Sequence, residues 1–595
     1  MAFKTVSRLR AFRARPELST VLVPPRWNPR PCRCNRSSTK PTIGIPTSRA
    51  QNTSAAPRAH RDRHRPSARN RPIRIQTLRR CHPGRRKRER ARRARRTKLE
   101  SPILSSAQMR AVEESAFSRG STIESLMDEA GLGIAAAVRK FFPKPATCIV
   151  FAGKGHNGGD ALVAAAHLKR IGWKIDIRPA FLEDDCSELT LKKLKALREL
   201  PQGPFDPIEL APQTIVLDGL LGTGAKSFLR EPIRTGAREI NRLRREENAF
   251  VFAVDLPTGL DSDSGENDPE DSVVADFTIT IGFAKHGLIV DSALDFVGRI
   301  EVVPLSGLSL DLSTPNELVT APHSLSPLLP RRRFDAYKNE FGRIGIVAGS
   351  KGLLGAALLA THGALRAGAG LVRVFVPEEI YEIVAAAAPI ESMVQPVRKY
   401  RELLDQDNVN VWAVGPGLGK NRASEILNLI ENLPQPMIVD ADGLNIAAEK
   451  IDILRSCRGP RLLTPHAGEM KRLMESGKMA RAGIARNFCD KFPVTLLLKG
   501  SRTIICERGK AITYNTTGNP GMASGGMGDV LTGVCAGLAA RGLSMYDAGR
   551  LGAWACGRAA EIGIFERGAS EESLVATDVI ANLGRAFNEM RDAPA

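Results

Sequence analysis

The sequence of 595 residues lacks several features that would assign it to a membrane or secretory class. It has no run of 18 apolar residues, because Arg366 interrupts the best candidate, so we expect no membrane span. No apolar segment follows the basic N-terminus, so a secretory signal is not expected either. The ten cysteines form no CxxC pair, which argues against a zinc site or a disulfide framework and predicts reduced thiols in the cytoplasm.

Acidic residues are scarce in the first hundred positions. Residues 1–100 contain 30 basic and 4 acidic residues, a formal charge of +26, whereas residues 101–595 contain 56 and 60, a charge of −4. The first segment lacks periodic apolar residues, so we expect a disordered arginine-rich leader. It can contact nucleic acid nonspecifically through phosphates, act as an organelle transit peptide, or be an upstream extension without a role.

Alternating apolar segments predict two consecutive α/β domains. Ser105 and Gln108 have capping-box spacing ahead of a first helix. A first series of strand-like runs follows: Thr147–Ala152, Ile175–Ile177, Thr214–Leu217, Phe250–Val254 and Phe277–Ile281. A second series comprises Arg343–Ser350, Leu371–Val376, Val411–Val414, Met437–Val439, Arg461–Leu463, Val494–Leu498 and Thr503–Cys506. The pattern predicts parallel sheets with covering helices in domains 101–310 and 334–595, joined by a linker over 311–333.

A glycine-rich loop follows the first strand of the first domain. Residues 153–160 read Gly-Lys-Gly-His-Asn-Gly-Gly-Asp, which matches the dinucleotide fingerprint between a strand and a helix. An ordinary dehydrogenase is therefore one interpretation, but no clear ribose-binding acid ends the next strand. Asn157 and Asp160 instead indicate contacts with a polar ligand or an ion.

Two more carboxylate loops follow strands of the same series, at Asp218 and at Asp255. Because the C-terminal ends of parallel strands share one edge, we expect these aspartates to converge there with Asn157 and Asp160. Their oxygens suit a cation or ribose hydroxyls, and Asp255 can also transfer protons. One such aspartate alone is more often a turn former or a helix cap, but successive loops of this kind favour a site.

The second domain contains a glycine-rich segment, Asn519–Gly528, followed by Asp529 and the apolar stretch Val530–Ala540. Glycines let backbone N–H groups approach a phosphate, and a helix N-terminus favours negative charge. Asp529 is placed to take a proton from a hydroxyl that attacks such a phosphate. For this motif alone, a glycine-rich turn with an aspartate cap is the simpler interpretation.

Further strand-end loops of this domain make a phosphate-binding site the better interpretation. They predict a cleft for two phosphate-bearing ligands, which His466 and Lys499 would face. These loops are Gly355–Ala357, Gly415–Gly419, Asp440–Asp442, Thr464–Glu469 and Lys499–Thr503.

These motifs resemble those of a known two-domain family. Through Leu126–Gly131, Gly158–Asp160, Gly222–Gly224 and Asp255–Gly259, residues 101–310 resemble the NAD(P)H-hydrate epimerase domain. Residues 320–590 resemble its usual fused partner, the ADP-dependent NAD(P)H-hydrate dehydratase of the ribokinase-like superfamily. The resemblance implies a Rossmann-like domain followed by a ribokinase-like domain, and it covers everything except the leader.

The resemblance also implies particular site residues. Potassium ligands would be Asn157, Asp218 and Thr258. The hydrated substrate of the epimerase would contact Asn157, Gly158, Gly159, Asp160, Gly222, Thr223, Gly224 and Asp255. In the dehydratase, the hydrated substrate would contact Ala356, Gly417, His466 and Asp529, and the nucleotide would contact Lys499, Gly500, Ser501, Arg502, Thr503 and Gly528. The sequence departs from the family pattern at Thr258 (usually serine), Ala161 (commonly glycine) and Tyr337–Asn339 (normally His-Lys-Gly).

The activity implied by the resemblance is repair of hydrated NADH and NADPH. The enzyme would epimerise the R and S forms, with Asp255 as a catalytic residue. It would dehydrate the S form at the expense of ADP, with Asp529 as the base, releasing AMP and phosphate. K⁺, Mg²⁺ with the nucleotide, ATP as another nucleotide and a homo-oligomer belong to the same expectation.

Two rival classes of function remain open at this stage. One is a ribokinase-like vitamin or sugar kinase fused to a nucleotide-binding domain, which would release a stable phosphorylated product. The other is a non-enzymatic, RNA-associated role of the first domain and the leader, which would depend strongly on salt.

Overall fold

The computed structural model describes residues 101–204, 211–224, 228–310, 315–475 and 477–593. The leader expected over residues 1–100 lies outside them, and so do residues 311–314 of the expected linker. Within the described residues, the strands form two sheets that are covered by helices. This arrangement confirms the prediction of two consecutive α/β folds.

The strands, in chain order, are β1 Ser101–Leu104, β2 Thr147–Ala152, β3 Lys174–Pro179, β4 Thr214–Gly219, β5 Phe250–Val254, β6 Phe277–Ile281, β7 Ala284–Lys285, β8 Arg299–Val303, β9 Glu317–Val319, β10 Arg343–Val347, β11 Leu371–Pro377, β12 Met393–Val397, β13 Val411–Val414, β14 Met437–Val439, β15 Arg461–Leu463, β16 Thr495–Leu498, β17 Ile504–Glu507 and β18 Ile512–Tyr514. The helices are α1 Ser106–Ser118, α2 Ile123–Phe141, α3 His156–Arg170, α4 Glu188–Glu199, α5 Ile233–Glu246, α6 Leu294–Val297, α7 Pro322–Leu325, α8 Leu354–Arg366, α9 Tyr381–Ala387, α10 Ala423–Asn432, α11 Asp442–Glu449, α12 Ala467–Leu473, α13 Arg481–Lys491, α14 Met527–Ala540, α15 Met545–Arg567 and α16 Ala576–Asp592.

The first sheet has six parallel strands in the order β3-β2-β4-β5-β6-β8. Its strands are rich in buried apolar residues because helices cover both faces: α2, α3 and α4 lie on one side and α5 lies on the other. The strand order reverses between β2 and β4. In such sheets the crevice beyond the strand ends at this switch point is where ligands bind.

The second sheet has a parallel central part in the order β12-β11-β10-β13-β14-β15-β16, and its switch point lies between β10 and β13. Helices α8 and α14 pack tightly against each other over one face. Gly363 and Gly533 make this approach feasible, since a Cβ at either position would overlap a backbone carbonyl of the facing helix. The packing fixes the N-terminus of α14, which carries Asp529.

The second sheet continues beyond β16 through β17, β18, β9, β1 and β7. Strands β1 and β7 belong to the region expected to form the first domain, and β9 lies within the linker expected over 311–333. Within that expected linker, residues 317–319 pair with β18, and 322–325 form α7. The partners of β1, β7 and β9 lie far away in the sequence, so local sequence patterns do not reveal these strands.

The two α/β halves also meet through side chains. Phe565 of α15 contacts Phe141, Phe250 and Phe277 of the first half, with ring centroids 5.5 to 6.2 Å apart. Beside these rings, the buried Glu561 accepts a hydrogen bond from Arg299 Nε at 3.0 Å. Apolar and ionic contacts thus join the halves. None of the helices in the described part of the chain is long and apolar enough to cross a bilayer.

Candidate active sites

The first candidate site lies at the switch point between β2 and β4. Asn157, in the first turn of α3, donates its Nδ2 to the Leu221 carbonyl beyond β4 at 2.9 Å. A Cβ on Gly222 would lie 3.2 Å from Asn157 Oδ1, so these two expected residues are neighbours. The expected contacts at Thr223 and Gly224 lie on the same loop, whereas residues 225–227 lie outside the described residues.

Asp218 and Thr258 form a buried pair at the same edge. The Thr258 hydroxyl donates to Asp218 Oδ1 at 2.7 Å and its backbone N–H donates to Oδ2 at 2.8 Å. The Leu221 N–H donates to Thr258 Oγ1 at 3.1 Å. Burial raises the pKa of Asp218 to about 6, although these hydrogen bonds oppose the shift. Threonine thus supplies a hydroxyl group at this position, as serine would.

The loop between β2 and α3 depends on residues without bulky side chains. A Cβ on Gly158 would overlap the Gly153 carbonyl, and one on Gly159 would overlap Met127. Ala161, where glycine is common, is fully buried, and its methyl group faces Gly219. The extra methyl is accommodated because residue 219 has no side chain.

Asp255 is paired with a lysine that the sequence motifs do not single out. Lys285 is 1% exposed, and its Nζ forms an ion pair with Asp255 Oδ1 and donates to the Ile281 carbonyl at 3.1 Å. The Ile281 N–H also donates to Asp255 Oδ1, at 3.0 Å. Asp255 has φ +66°, a backbone strain of the kind found at functional sites.

Two more carboxyl groups surround this pair. Burial, followed by the negative charges of Asp255 and Glu113, raises the pKa of Asp160 well above its usual range. Burial also raises the pKa of Glu113, and the positive charge of Lys285 opposes this shift. The site therefore contains two carboxyl groups with raised pKa, Asp160 and Glu113, beside the carboxylate that pairs with Lys285. This arrangement suits proton transfer.

The second candidate site is a cavity of about 520 Å³ next to the N-terminus of α14. Four expected residues line it: His466, Lys499, Gly528 and Asp529. Asp529 lies in the first turn of α14, after Gly526, whose φ is +87°. Burial raises the pKa of Asp529 to about 6, Asp440 adds to the shift and Lys499 opposes it. A carboxyl with this pKa at a helix N-terminus can accept a proton near neutral pH.

Asp440 organises the cationic side of the cavity. Its Oδ1 accepts from Lys499 Nζ at 2.7 Å, and its Oδ2 accepts from the Thr532 hydroxyl at 2.8 Å. A Cβ on Gly528 would lie 3.2 Å from Lys499 Nζ, so the ammonium group lies directly beside the start of α14. Lysine and helix N-terminus together favour an anionic group in the cavity.

His466 caps a helix and also lines the cavity. Its Nδ1 accepts from the Gly468 N–H at 2.9 Å and caps α12, which leaves Nε2 to carry the proton of the neutral ring. Glu469, a buried cavity residue, accepts from the His466 backbone N–H at 2.8 Å.

The remaining expected contacts of the dehydratase lie outside the cavity wall. Ala356 and Gly417 are adjacent at the β10–β13 switch point, since a Cβ on Gly417 would lie 3.0 Å from that of Ala356. Beyond Lys499 follow the other four expected nucleotide contacts: Gly500, Ser501, Arg502 and Thr503. Arg502 has φ +57°, and its Nε and Nη1 are buried with no hydrogen-bond partner among the described residues.

Three groups with evident chemistry were not singled out from the sequence. Asp440 and Glu469 lie in the strand-end loops Asp440–Asp442 and Thr464–Glu469, and this position is the sequence signal that could have identified them. Lys285 ends β7, four residues after β6, and gives no sequence signal, because lysine is normally an exposed residue.

Comparison with known proteins reproduces the division into two domains. A family model described as NAD(P)H-hydrate dehydratase matches residues 344–582, and one described as YjeF-related protein N-terminus matches residues 123–287. The bifunctional NAD(P)H-hydrate repair enzyme Nnr of Moorella thermoacetica is 35% identical over 494 residues, which cover 76% of this chain and 90% of that protein. The enzyme of the same name from Escherichia coli is 32% identical over 492 residues, with coverages of 80% and 92%.

Among solved structures, the ADP/ATP-dependent NAD(P)H-hydrate dehydratase from Bacillus subtilis, co-crystallised with ATP and Mg²⁺, has 26% sequence identity and a TM-score of 0.41. It covers 45% of this chain and 97% of its own.

Fold and sites define a two-domain α/β protein with a candidate site at the strand ends of each sheet. The chain belongs to the family of bifunctional NAD(P)H-hydrate repair enzymes. It therefore combines an NAD(P)H-hydrate epimerase with an NAD(P)H-hydrate dehydratase, as the sequence motifs predicted.

Proposed function

We propose that the chain restores hydrated NADH and NADPH by epimerising the R and S forms in the first domain and dehydrating the S form with ADP in the second. The observation that supports the second step most directly is Asp529, whose pKa is raised to about 6 in a cavity shared with Lys499. A base, a cation and a helix N-terminus in one cavity suit the transfer of a phosphoryl group to a hydroxyl.

In the dehydration step, Asp529 takes the proton of the hydroxyl on ring carbon six. The hydroxyl oxygen then bonds to the terminal phosphorus of ADP, and AMP leaves. The lone pair of the ring nitrogen expels the new phosphate group, and loss of a proton from the neighbouring carbon restores the double bond. Coupling to ADP converts hydroxide, a poor leaving group, into phosphate.

Lys499 and Gly528 would receive the nucleotide phosphates, because the ammonium group lies beside the first turn of α14. Gly500, Ser501, Arg502 and Thr503 would contact the rest of the nucleotide. The buried, unpartnered Nε and Nη1 of Arg502 support this role, since buried guanidinium donors require an acceptor. His466, Ala356 and Gly417 would hold the hydrated substrate across the β10–β13 edge.

In the first domain, Asp255 and Asp160 would exchange a proton with the ring hydroxyl. The hydroxyl leaves as water when an acid protonates it and the ring nitrogen supplies electrons, and water then returns to the opposite face of the ring. Lys285 would keep Asp255 oriented. Asn157, Gly158, Gly159, Gly222, Thr223 and Gly224 would surround the substrate.

Potassium would bind at Asn157, Asp218 and Thr258, which offer only oxygen ligands at one sheet edge. Asp218 is completely buried, and no basic side chain pairs with it within the described residues. A buried carboxylate without a charge partner fits a bound cation. When bound, the ion would supply positive charge at this edge of the sheet.

Mg²⁺ would arrive with the nucleotide. In the described part of the chain, no three His, Cys, Asp or Glu residues are grouped to hold a metal ion. Asp440 and Glu469 nevertheless present carboxylates to the cavity. Mg²⁺ commonly uses one or two carboxylates together with substrate phosphates, so the residues present fit this mode.

The homo-oligomer, the cytoplasmic location and the nonspecific nucleic-acid contact of residues 1–100 stay predictions. Light scattering and cell fractionation would test the first two.

The decisive experiment incubates the full chain with mixed hydrate epimers and resolves them by chromatography, without nucleotide, with ADP and with ATP. We expect interconversion of the epimers without nucleotide and complete return to NADH only with nucleotide. A stable phosphorylated product would instead indicate a kinase, and equal dehydration without nucleotide would contradict the coupling.

A further inference from the structure

A short segment of the first domain, residues 291–299, contacts two loops of the second domain. At its start, Asp291 faces Arg481, the first residue of α13. Arg481 Nε donates to Asp291 Oδ1 at 2.9 Å, and the Arg481 backbone N–H donates to Oδ2 at 3.2 Å. One carboxylate of the first domain thus fixes both the backbone and the guanidinium of this arginine.

The same guanidinium supports the loop Lys499–Thr503. Arg481 Nη2 donates to the Ser501 carbonyl at 2.7 Å and to the Arg502 carbonyl at 2.9 Å. A Cβ on Gly500 would lie 2.7 Å from Arg481 Nη1, so the guanidinium group lies directly against this part of the loop. Because guanidinium is planar, the orientation that Asp291 sets at Nε also sets the donors that reach the loop.

The loop has an unusual shape that needs such support. Gly500 has φ +151° and Arg502 has φ +57°, a conformation that side chains rarely adopt. Strained backbone of this kind persists only where surrounding groups hold it. Arg481 supplies two of these holding contacts.

The end of the segment makes a second, independent contact with the site. The Gly298 carbonyl accepts from Arg502 Nη2 at 3.0 Å. The next residue, Arg299, pairs with Glu561, whose Oε1 also accepts from the Gly518 N–H at 2.9 Å. Gly518 immediately precedes the glycine-rich segment that leads to Asp529. Both walls of the candidate nucleotide site are therefore tied to residues 291–299.

We propose that Asp291 is a positioning residue for the dehydratase, acting through Arg481 to hold the loop Lys499–Thr503 in its nucleotide-binding shape. The proposal rests on the proposed function, which assigns this loop to the nucleotide. It makes the epimerase domain a structural part of the dehydratase site.

The test compares ADP kinetics of the full chain carrying Asp291→Asn with those of the unchanged protein. Asp291 is partly exposed, so we expect the KM for ADP to rise only about fivefold, with kcat changed by less than about twofold. Epimerisation should stay unchanged. Asp291→Glu, which retains the carboxylate, should restore most of the affinity.

Two further variants sharpen the test. Asp295→Asn is the matched control, because Asp295 is exposed in the same segment and makes no hydrogen bond or ion pair within the described residues. Arg481→Met should raise the KM for ADP as well, and adding Asp291→Asn to it should have no further effect.

The outcomes separate the two proposals. Absence of nucleotide-dependent dehydration in the unchanged protein would overturn the proposed function. With that activity present, an unchanged KM in Asp291→Asn, an equal rise in Asp295→Asn, or independent effects of Asp291→Asn and Arg481→Met would overturn the positioning role alone. A fall in kcat at constant KM would also contradict it.

Discussion

The two candidate sites differ in where their charged groups come from. In the first site, the interacting groups Glu113, Asp160, Asp255 and Lys285 all belong to the first half of the chain. In the second site, the loops beside the cavity also contact the first half, through Asp291 and Arg299. The first site is self-contained in its charges, whereas the second is completed by its neighbour.

This difference indicates that the first domain contributes to the structure of the second site. The second sheet contains β1 and β7 of the first half, so a cut near residue 320 would remove strands as well as a domain. Single substitutions in the full chain therefore separate the two activities better than truncation does.

The largest effect is expected from Asp529→Asn. The amide retains the shape of the side chain but cannot accept the hydroxyl proton, so dehydration should fall at least about a hundredfold. ADP binding, measured by calorimetry, and epimerisation should persist. Asp490→Asn, an exposed aspartate outside the cavity wall, is the control. Turnover near that of the unchanged protein would contradict the role of Asp529 as base.

Asp255→Asn should produce the complementary defect. We expect epimerisation to slow about a hundredfold, because the amide can no longer exchange a proton with the ring hydroxyl. Dehydration of the purified S form should stay unchanged, while the R form should persist in the mixture apart from spontaneous conversion. The exposed Asp184→Asn serves as control. Parallel loss of both activities would show that the sites are not separate.

The sequence predicted the strands and the strand-end loops well because their signals are local. Buried parallel strands are continuous apolar runs, and glycine-rich turns mark their ends, so Asp529, Lys499 and Asn157 could be found without a structure. The meeting of Asn157 with Gly222, and of Ala356 with Gly417, follows from the parallel order of the strands.

The residues that escaped prediction depend on contacts distant in sequence. Lys285 pairs with an aspartate 30 residues away, and Arg481 pairs with one 190 residues away. Backbone strain is equally invisible at Ala441 and Arg502, since neither residue type indicates positive φ. The short strands β7 and β9 pair with β1 and β18, which lie far away in the sequence.

The pH dependence of dehydration should report the environment of Asp529. Its pKa is raised to about 6, so the unprotonated base predominates above pH 6 and is lost as the pH falls through that value. With purified S form, kcat should therefore decrease about tenfold for each pH unit below 6. Activity that recovers after return to neutral pH is the control against unfolding. A flat profile between pH 7.5 and pH 5 would contradict this assignment.

A smaller effect is expected from the monovalent cation. Replacing K⁺ with Li⁺ should lower the Tm of the full chain by about 2 to 4 °C, because a ligand that binds only the folded state stabilises it. Epimerisation should slow as well, since fixed oxygen ligands cannot close around a smaller ion. Asp218→Asn should abolish the difference between the two salts, and Asp184→Asn should retain it. Equal Tm values in both salts would contradict a potassium site.

The smallest effect on catalysis is expected from removing residues 1–100. The deletion takes away a formal charge of +26 but no candidate ligand of either site, so both activities should remain. Binding to a polyanion such as heparin should disappear, because phosphate-like contacts of basic residues are nonspecific and weaken steeply with salt. Affinity chromatography at increasing salt, with and without these residues, measures the change. Loss of either activity in the shortened protein would show that residues 1–100 contribute to a site, and the contrast between a self-contained and a completed site would need revision.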